Sequence, residues 1–222
     1  MNKSTVLFIG KSPSPPFNDS NKIIVKNLLS NISNVNIEYL SDGKLNYPNK
    51  KERIVYNENS SYNLTLKQQA KVFLDLLKPN LNIDIYHYFF APNFKTSLFC
   101  RLLKMAKPKY SIQSVLSMPK TLENPEILFF GDLIITKSRS SQKILENVGV
   151  SNVKTIYPGI EIKDLNKDEI NTAKNYFKLD IEKGAVLYAG DYNEDVLKLL
   201  DVAKYIYNQY RFIFVFAIRL KD

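Results

Sequence analysis

Side chains that could exchange protons near neutral pH are few in this 222-residue chain, which holds one histidine, His87, and one cysteine, Cys100. An imidazole titrates near neutrality and suits acid–base work, so His87, in the segment IYHYFF, is the candidate catalytic group. The alternative role for His87 is a half-buried ring bonded to backbone. A single cysteine allows no internal disulfide and no cysteine metal cluster. A single histidine rules out a multi-histidine zinc site, so no metal is expected. Gly10 opens the polar loop GKSPSPP and invites comparison with a phosphate cradle. The loop lacks both glycine-rich phosphate patterns, and its prolines remove N–H donors that a cradle would need.

These residues need elements to position them, and the apolar pattern supplies an alternation. Thr5–Ile9, Val35–Leu40, Ile83–Phe90, Tyr110–Leu116, Asp132–Thr136 and Val153–Tyr157 have the composition of strands. Helical spacing covers Ser20 to Ile32, Leu64–Leu77, Thr96–Ala106 and Ser140–Asn147. The stretch Ser41–Ser61 is polar and is expected to be a long loop. Strands alternating with helices imply an α/β fold with a parallel sheet, in which ligands sit beyond the carboxyl ends of the strands. That rule points to Gly10–Ser14, His87–Phe90, Ser117–Pro119 and Lys137–Arg139.

After a break at Pro158-Gly159 the pattern starts again. Lys167–Phe177 has helical composition, Ala185–Ala189 is a strand ending in Gly190-Asp191, Glu194–Tyr207 is a helix and Arg211–Ile218 a strand. The chain therefore divides into a Rossmann-like domain at 1–160 and the hinge and opening of a second at 161–222. A piece of about sixty residues with two strands buries little surface and is marginal alone. It needs more chain or a partner chain, and its Phe212–Ala217 edge is an aggregation hazard.

Composition excludes several classes. Hydrophobic residues are 45% and charged residues 24%, a soluble globular balance. No apolar run approaches the roughly 20 residues of a membrane span, and no signal-peptide core is present, so a cytoplasmic protein is the default. The net charge of +9 comes without an aromatic–basic nucleic-acid motif, so no nucleic acid is expected as partner. Within Phe94–Lys109 there are five basic residues and no acidic one, with Leu98, Phe99, Leu102, Leu103 and Ala106 as the apolar stripe expected to face the core. Its basic side could rest on anionic lipid at the inner membrane surface.

Four segments in this order resemble the GT-B glycosyltransferases, most closely the retaining family-4 group: DIYHYFF at Asp84–Phe90, LIITKSRSSQKIL at Leu133–Leu145, KTIYPGIEI at Lys154–Ile162 and AVLYAGDY at Ala185–Tyr192. The resemblance implies an acceptor-binding first domain and a donor domain that holds a nucleotide-sugar. It also implies transfer to a hydroxyl acceptor, which could be lipid-linked, with retention and without metal or other cofactor. Gly10, Lys11, Ser12, Ser117 and Ser138 would then face the acceptor, Gly190, Asp191, Arg219 and Lys221 the donor, with Pro158 and Gly159 as the hinge.

The chain departs from the family in three places. No basic residue follows Gly190, so Arg219 and Lys221 would have to supply charge for the departing diphosphate. The segment SIQSVLSMP lacks the family's histidine, and Ser114 and Ser117 are poor proton acceptors. The family's paired glutamates are matched in spacing only by Glu161 and Glu169, which lie in the hinge and are rejected. The chain is thus expected to stop within the donor domain and to have little activity alone. Two alternatives remain: a non-catalytic acceptor-binding subunit completed by a separate donor-domain chain, and a GT-B-like nucleotide-sugar epimerase.

Overall fold

A computed structural model describes residues 3–15, 17, 20–43, 45–55, 66–78, 82–119, 121–159, 164–179, 185–191, 194–210 and 212–219. The chain separates into two compact units, Met1–Ile160 and Glu161–Asp222.

The first unit is a seven-stranded, wholly parallel sheet of order β3-β2-β1-β4-β5-β6-β7. β1 (Thr5–Gly10) is central because its run TVLFI can be covered on both faces. β4 (Ile85–Phe90) lies on one side of it and β2 (Asn36–Ser41) on the other. Packing splits by strand parity. Val6 and Phe8 join Ile37, Tyr39 and Phe89 beneath Val25 and Leu29 of α1 (Ser20–Asn31). Leu7 and Ile9 join Tyr86 and Tyr88 beneath Val72 and Leu76 of α2 (Leu66–Leu77) and Cys100 and Leu103 of α3 (Phe94–Ala106). The parallel α/β sheet expected from the alternation is the one that forms. The start predicted for α2 at Leu64 lies outside the described residues.

Two local expectations are corrected. Ser41–Ser61 contains an edge strand, β3 (Lys51–Ile54). Its four residues KERI carry no apolar run, because the strand is fixed by charge: Glu38 of β2, 8% exposed, receives Lys51 at 3.1 Å and the guanidinium of Arg53. Second, the inward face of α3 is shifted from the expected stripe: Leu103 is buried and Phe99 half-buried as expected, but Leu98, Leu102 and Ala106 face outward. Its buried residues are Ser97, Cys100 and Leu103, while Leu98 and Leu102 are 39% and 46% exposed. Ser97 fits the core because its hydroxyl donates to the Leu128 carbonyl at 3.1 Å. A short helix, α4 (Pro125–Leu128), follows β5 (Tyr110–Val115).

Two side-chain clamps hold β5 to the chain before β6 (Leu133–Thr136). Gln113, fully buried, donates to the Leu128 carbonyl at 2.9 Å and accepts from the Phe130 and Gly131 amides. At the strand's start Asp132 accepts from the Ser111 amide and hydroxyl, both at 2.8 Å, and from Lys104 at 2.6 Å. Burial pushes the Asp132 carboxyl up, but the bonds from Lys104 and Ser111 outweigh it and hold the group below its ordinary range. α5 (Arg139–Asn147) and β7 (Val153–Thr155) complete the unit. β7 is shorter than expected, and Ile156 and Tyr157 beyond it are exposed.

The second unit contains α6 (Lys167–Tyr176), β8 (Ala185–Asp191), α7 (Glu194–Tyr210) and β9 (Ile213–Arg219). β8 and β9 pair in parallel. α7 buries Val196 and Ala203, whereas Leu197, Leu200 and Val202 are exposed, as is Leu187 of β8. Glu169 caps α6: its carboxylate accepts from the Asn166 amide while its own amide donates to the Asn166 side chain at 2.8 Å.

Candidate functional site

The order in which strands are added switches between β1 and β4: from β1 the sheet builds outward through β2 to β3, and from β4 through β5 to β7. In an open parallel sheet this is where strand ends leave a crevice. Gly10 ends β1 there, in register with Phe89. A Cβ at position 10 would lie 2.9 Å from the Phe89 carbonyl oxygen and 3.1 Å from its Cβ, so glycine lets the two strands close up.

The loop after Gly10 is fastened to the end of β2. Asp42 receives the Ser12 hydroxyl at 2.9 Å and the Ser14 hydroxyl at 2.8 Å, and its amide donates back to Ser12 at 3.2 Å. Ser12 and Ser14 are buried. Lys22 of α1 donates to the Ser14 carbonyl at 3.0 Å. Ser12 thus shapes the loop, while Lys11 lines a cavity beside it. That cavity, about 450 Å³, opens between α2, α3 and the ends of β1 and β4. Phe73, Tyr88, Phe89, Phe90 and Phe99 are part of its wall, and Tyr88 is fully buried.

His87 is placed differently from a strand-end residue. It lies in the middle of β4, with Nε2 2.9 Å from the Ser114 hydroxyl of β5. Its ring lies over Phe89 at 3.9 Å and meets the edge of Phe8 at 5.4 Å. Burial in this apolar setting lowers its pKa to about 3, so the ring is a neutral imidazole at physiological pH. The partner is a side-chain hydroxyl and not backbone.

The remaining candidates fall into two groups. Ser117 is exposed just after β5. Ser138 is the N-cap of α5, its hydroxyl accepting from the Ser141 amide at 3.1 Å. Thr136 and Thr155 both reach its carbonyl at 3.2 Å, which fixes the turn between β6 and α5. Pro158 and Gly159 are exposed and are the last described residues before the unit boundary. In the second unit, Gly190 and Asp191 end β8 and Arg219 ends β9, and the register pairs Asp191 with Arg219. Three candidates therefore share the carboxyl edge of that sheet. Lys221 lies outside the described residues.

Sequence reasoning missed Asp42 and Tyr88. The Asp42-Gly43 pair after the apolar run Val35–Leu40 was a usable turn signal, and Gly43 does adopt a φ of 80°. Tyr88 gave none, because it sits in an unbroken apolar run. Among the described residues no group of three or more His, Cys, Asp or Glu side chains could hold a metal, and no helix is long and apolar enough to cross a membrane.

No family model and no curated protein matches the chain. Solved structures do. The chain is similar to Anabaena Alr3699/HepE, solved with UDP and glucose, at 13% identity and a TM-score of 0.53, covering 96% of this chain and 69% of that one. It is also similar to the UDP-GlcNAc 2-epimerase of Methanocaldococcus jannaschii, at 16% identity and a TM-score of 0.53, over 99% of this chain and 66% of that one. The Neisseria meningitidis UDP-GlcNAc 2-epimerase, bound to UDP-GlcNAc, matches at 11% identity and a TM-score of 0.50, over 98% and 66%. The chain spans about two thirds of their length. At these identities the likeness is one of fold, a GT-B-like α/β architecture with a Rossmann-like parallel sheet.

Proposed function

We propose that the chain is all or part of a nucleotide-sugar enzyme of GT-B type that transfers a sugar to a hydroxyl acceptor with retention, in the manner of the family-4 glycosyltransferases. The observation that carries this reading is the two-unit order. A seven-stranded sheet with a crevice at Gly10 precedes a second parallel unit whose strand ends bring together Gly190, Asp191 and Arg219. On this reading 1–160 binds the acceptor, with Lys11 and Ser117 facing it and Ser12 and Ser138 shaping the wall. The unit at 161–222 opens the donor site, where Arg219 and Lys221 meet the diphosphate. Pro158 and Gly159 form the hinge. His87 acts through packing, since a ring with a pKa near 3 is a weak base at neutral pH.

Two partner assignments belong to the same proposal. Phe94, Leu98, Leu102 and Met105 form an exposed apolar stripe on α3, with Lys95 and Lys109 exposed nearby, which supports contact with anionic lipid. A partner chain, or further chain, covers the exposed apolar residues of the second unit.

Epimerisation is the second reading, favoured by the two matched structures that are UDP-GlcNAc 2-epimerases. Incubation with UDP-GlcNAc or UDP-glucose in deuterium oxide separates the two. Acceptor-dependent release of UDP, with the anomeric configuration kept, supports transfer. Deuterium appearing at C2 of the sugar replaces transfer with epimerisation. Both assays use the protein with its second unit completed by further or partner chain, and failure of UDP to bind that protein, measured by calorimetry, removes both.

A further inference from the structure

We propose that the cavity between α2 and α3 binds a small aromatic or alicyclic ring compound carrying a hydrogen-bond-accepting oxygen at its inner end. The inference goes beyond sugar chemistry, although Gly10 and Lys11, which the proposed function gives to the acceptor, line the same cavity. The volume of about 450 Å³ is that of a small-molecule site. Val72, Phe73 and Leu76 form one wall, and Phe90, Phe99 and Leu103 the other. Phe73 and Phe99 meet edge to face across the helices, with centroids 5.6 Å apart, a geometry that also receives a third ring.

The cavity has an open and a closed end. Asn93 is exposed and Thr96 half-buried, so polar groups mark the opening. Tyr88 and Leu103, 0% and 2% exposed, mark the closed end. Among the described residues the hydroxyl of Tyr88 has no hydrogen-bond partner. A buried, unpaired donor is costly, and an entering acceptor atom relieves that cost. Burial drives the Tyr88 pKa up, so the group stays an O–H donor at physiological pH and selects an acceptor. Phe130 stands edge-on at 5.0 Å and Phe90 at 6.3 Å, which holds the phenol in place. A plain hydrocarbon would fill the walls but leave the hydroxyl unmatched.

The test compares acetophenone with ethylbenzene, near-isosteres that differ in the carbonyl oxygen. Because the chain has no tryptophan, Phe99→Trp supplies a single fluorescent reporter of occupancy, checked by ligand-observed NMR on the unaltered protein. Acetophenone is expected to bind about tenfold more tightly than ethylbenzene. In Tyr88→Phe, which keeps the ring and removes the donor, the two should bind alike. Val72→Phe should exclude both by filling the wall. Binding of neither compound to the unaltered protein overturns the proposal. So does equal binding of both, a ketone preference that survives Tyr88→Phe, or undiminished binding to a folded Val72→Phe variant.

Discussion

His87 Nε2 and the Ser114 hydroxyl stand 2.9 Å apart as a diagonal pair on one face of β4 and β5. Phe89 lies over the imidazole and Phe8 meets its side, so the ring that the sequence marks as the sole near-neutral titrating group is held uncharged and half-buried on one face of the sheet. Its effect on the molecule is therefore expected in stability before catalysis.

An unfolded histidine titrates near 6.5 and this one at about 3. The folded value is the lower, so between these limits the unfolded chain binds the extra proton. The stability His87 contributes is complete above about pH 6.5 and is lost as pH falls toward 3. The slope is at most about 1.4 kcal/mol per pH unit. Melting temperatures from pH 7 to 4 should fall more steeply for the unaltered protein than for His87→Gln. Parallel curves would show that water reaches the ring.

Gly10 and Gly159 should respond differently to the same change. Gly10→Ala drives a methyl group into the Phe89 backbone and should cost about 1–3 kcal/mol in urea unfolding. Gly159→Ala meets nothing within 4 Å and should stay within about 0.5 kcal/mol. Equal effects would mean that β1 and β4 are not closely joined at that point.

The Asp42 clasp is a charge-assisted pair of hydrogen bonds. A double-mutant cycle of Asp42→Ala with Ser14→Ala should give a coupling of about 1–3 kcal/mol. Hydrogen exchange in the Ser12–Ser14 loop should rise in Asp42→Ala. Additive losses with unchanged exchange would show the loop to be held by something else.

For the α3 stripe, sedimentation with phosphatidylglycerol vesicles is expected, and little with phosphatidylcholine. Leu98→Ser with Leu102→Ser should weaken sedimentation by about tenfold or more, because apolar burial in the interface is lost. The melting temperature should hardly move, since both side chains are already exposed. Equal sedimentation of variant and parent would remove lipid contact from the proposed function.

The parallel sheet was legible because its central strands are nearly continuous apolar runs, as in Thr5–Ile9. β3 was not, because its pairing depends on Glu38, thirteen residues before Lys51, and no local pattern in KERI reveals that partner. The face of α3 was misread for a related reason. Apolar spacing favours Leu98 and Leu102, but the core accepts Ser97 and Cys100, whose small size lets the helix approach. Of the site, Gly10 was legible from its place after an apolar run. The meeting of His87 with Ser114, twenty-seven residues apart, depends on strand register, which composition does not encode.

The clamps on β5 differ in one respect. Gln113 holds its carbonyl and amide partners with a side chain that has no proton to gain in ordinary acid. Asp132 holds Lys104 as an ion pair, and Ser111 by charge-assisted bonds, only while it is a carboxylate, its amide bonding Ser111 in either state. Strong acid would therefore slacken the strand at its entrance and leave it fastened at its middle, so the sheet loosens first at one pole.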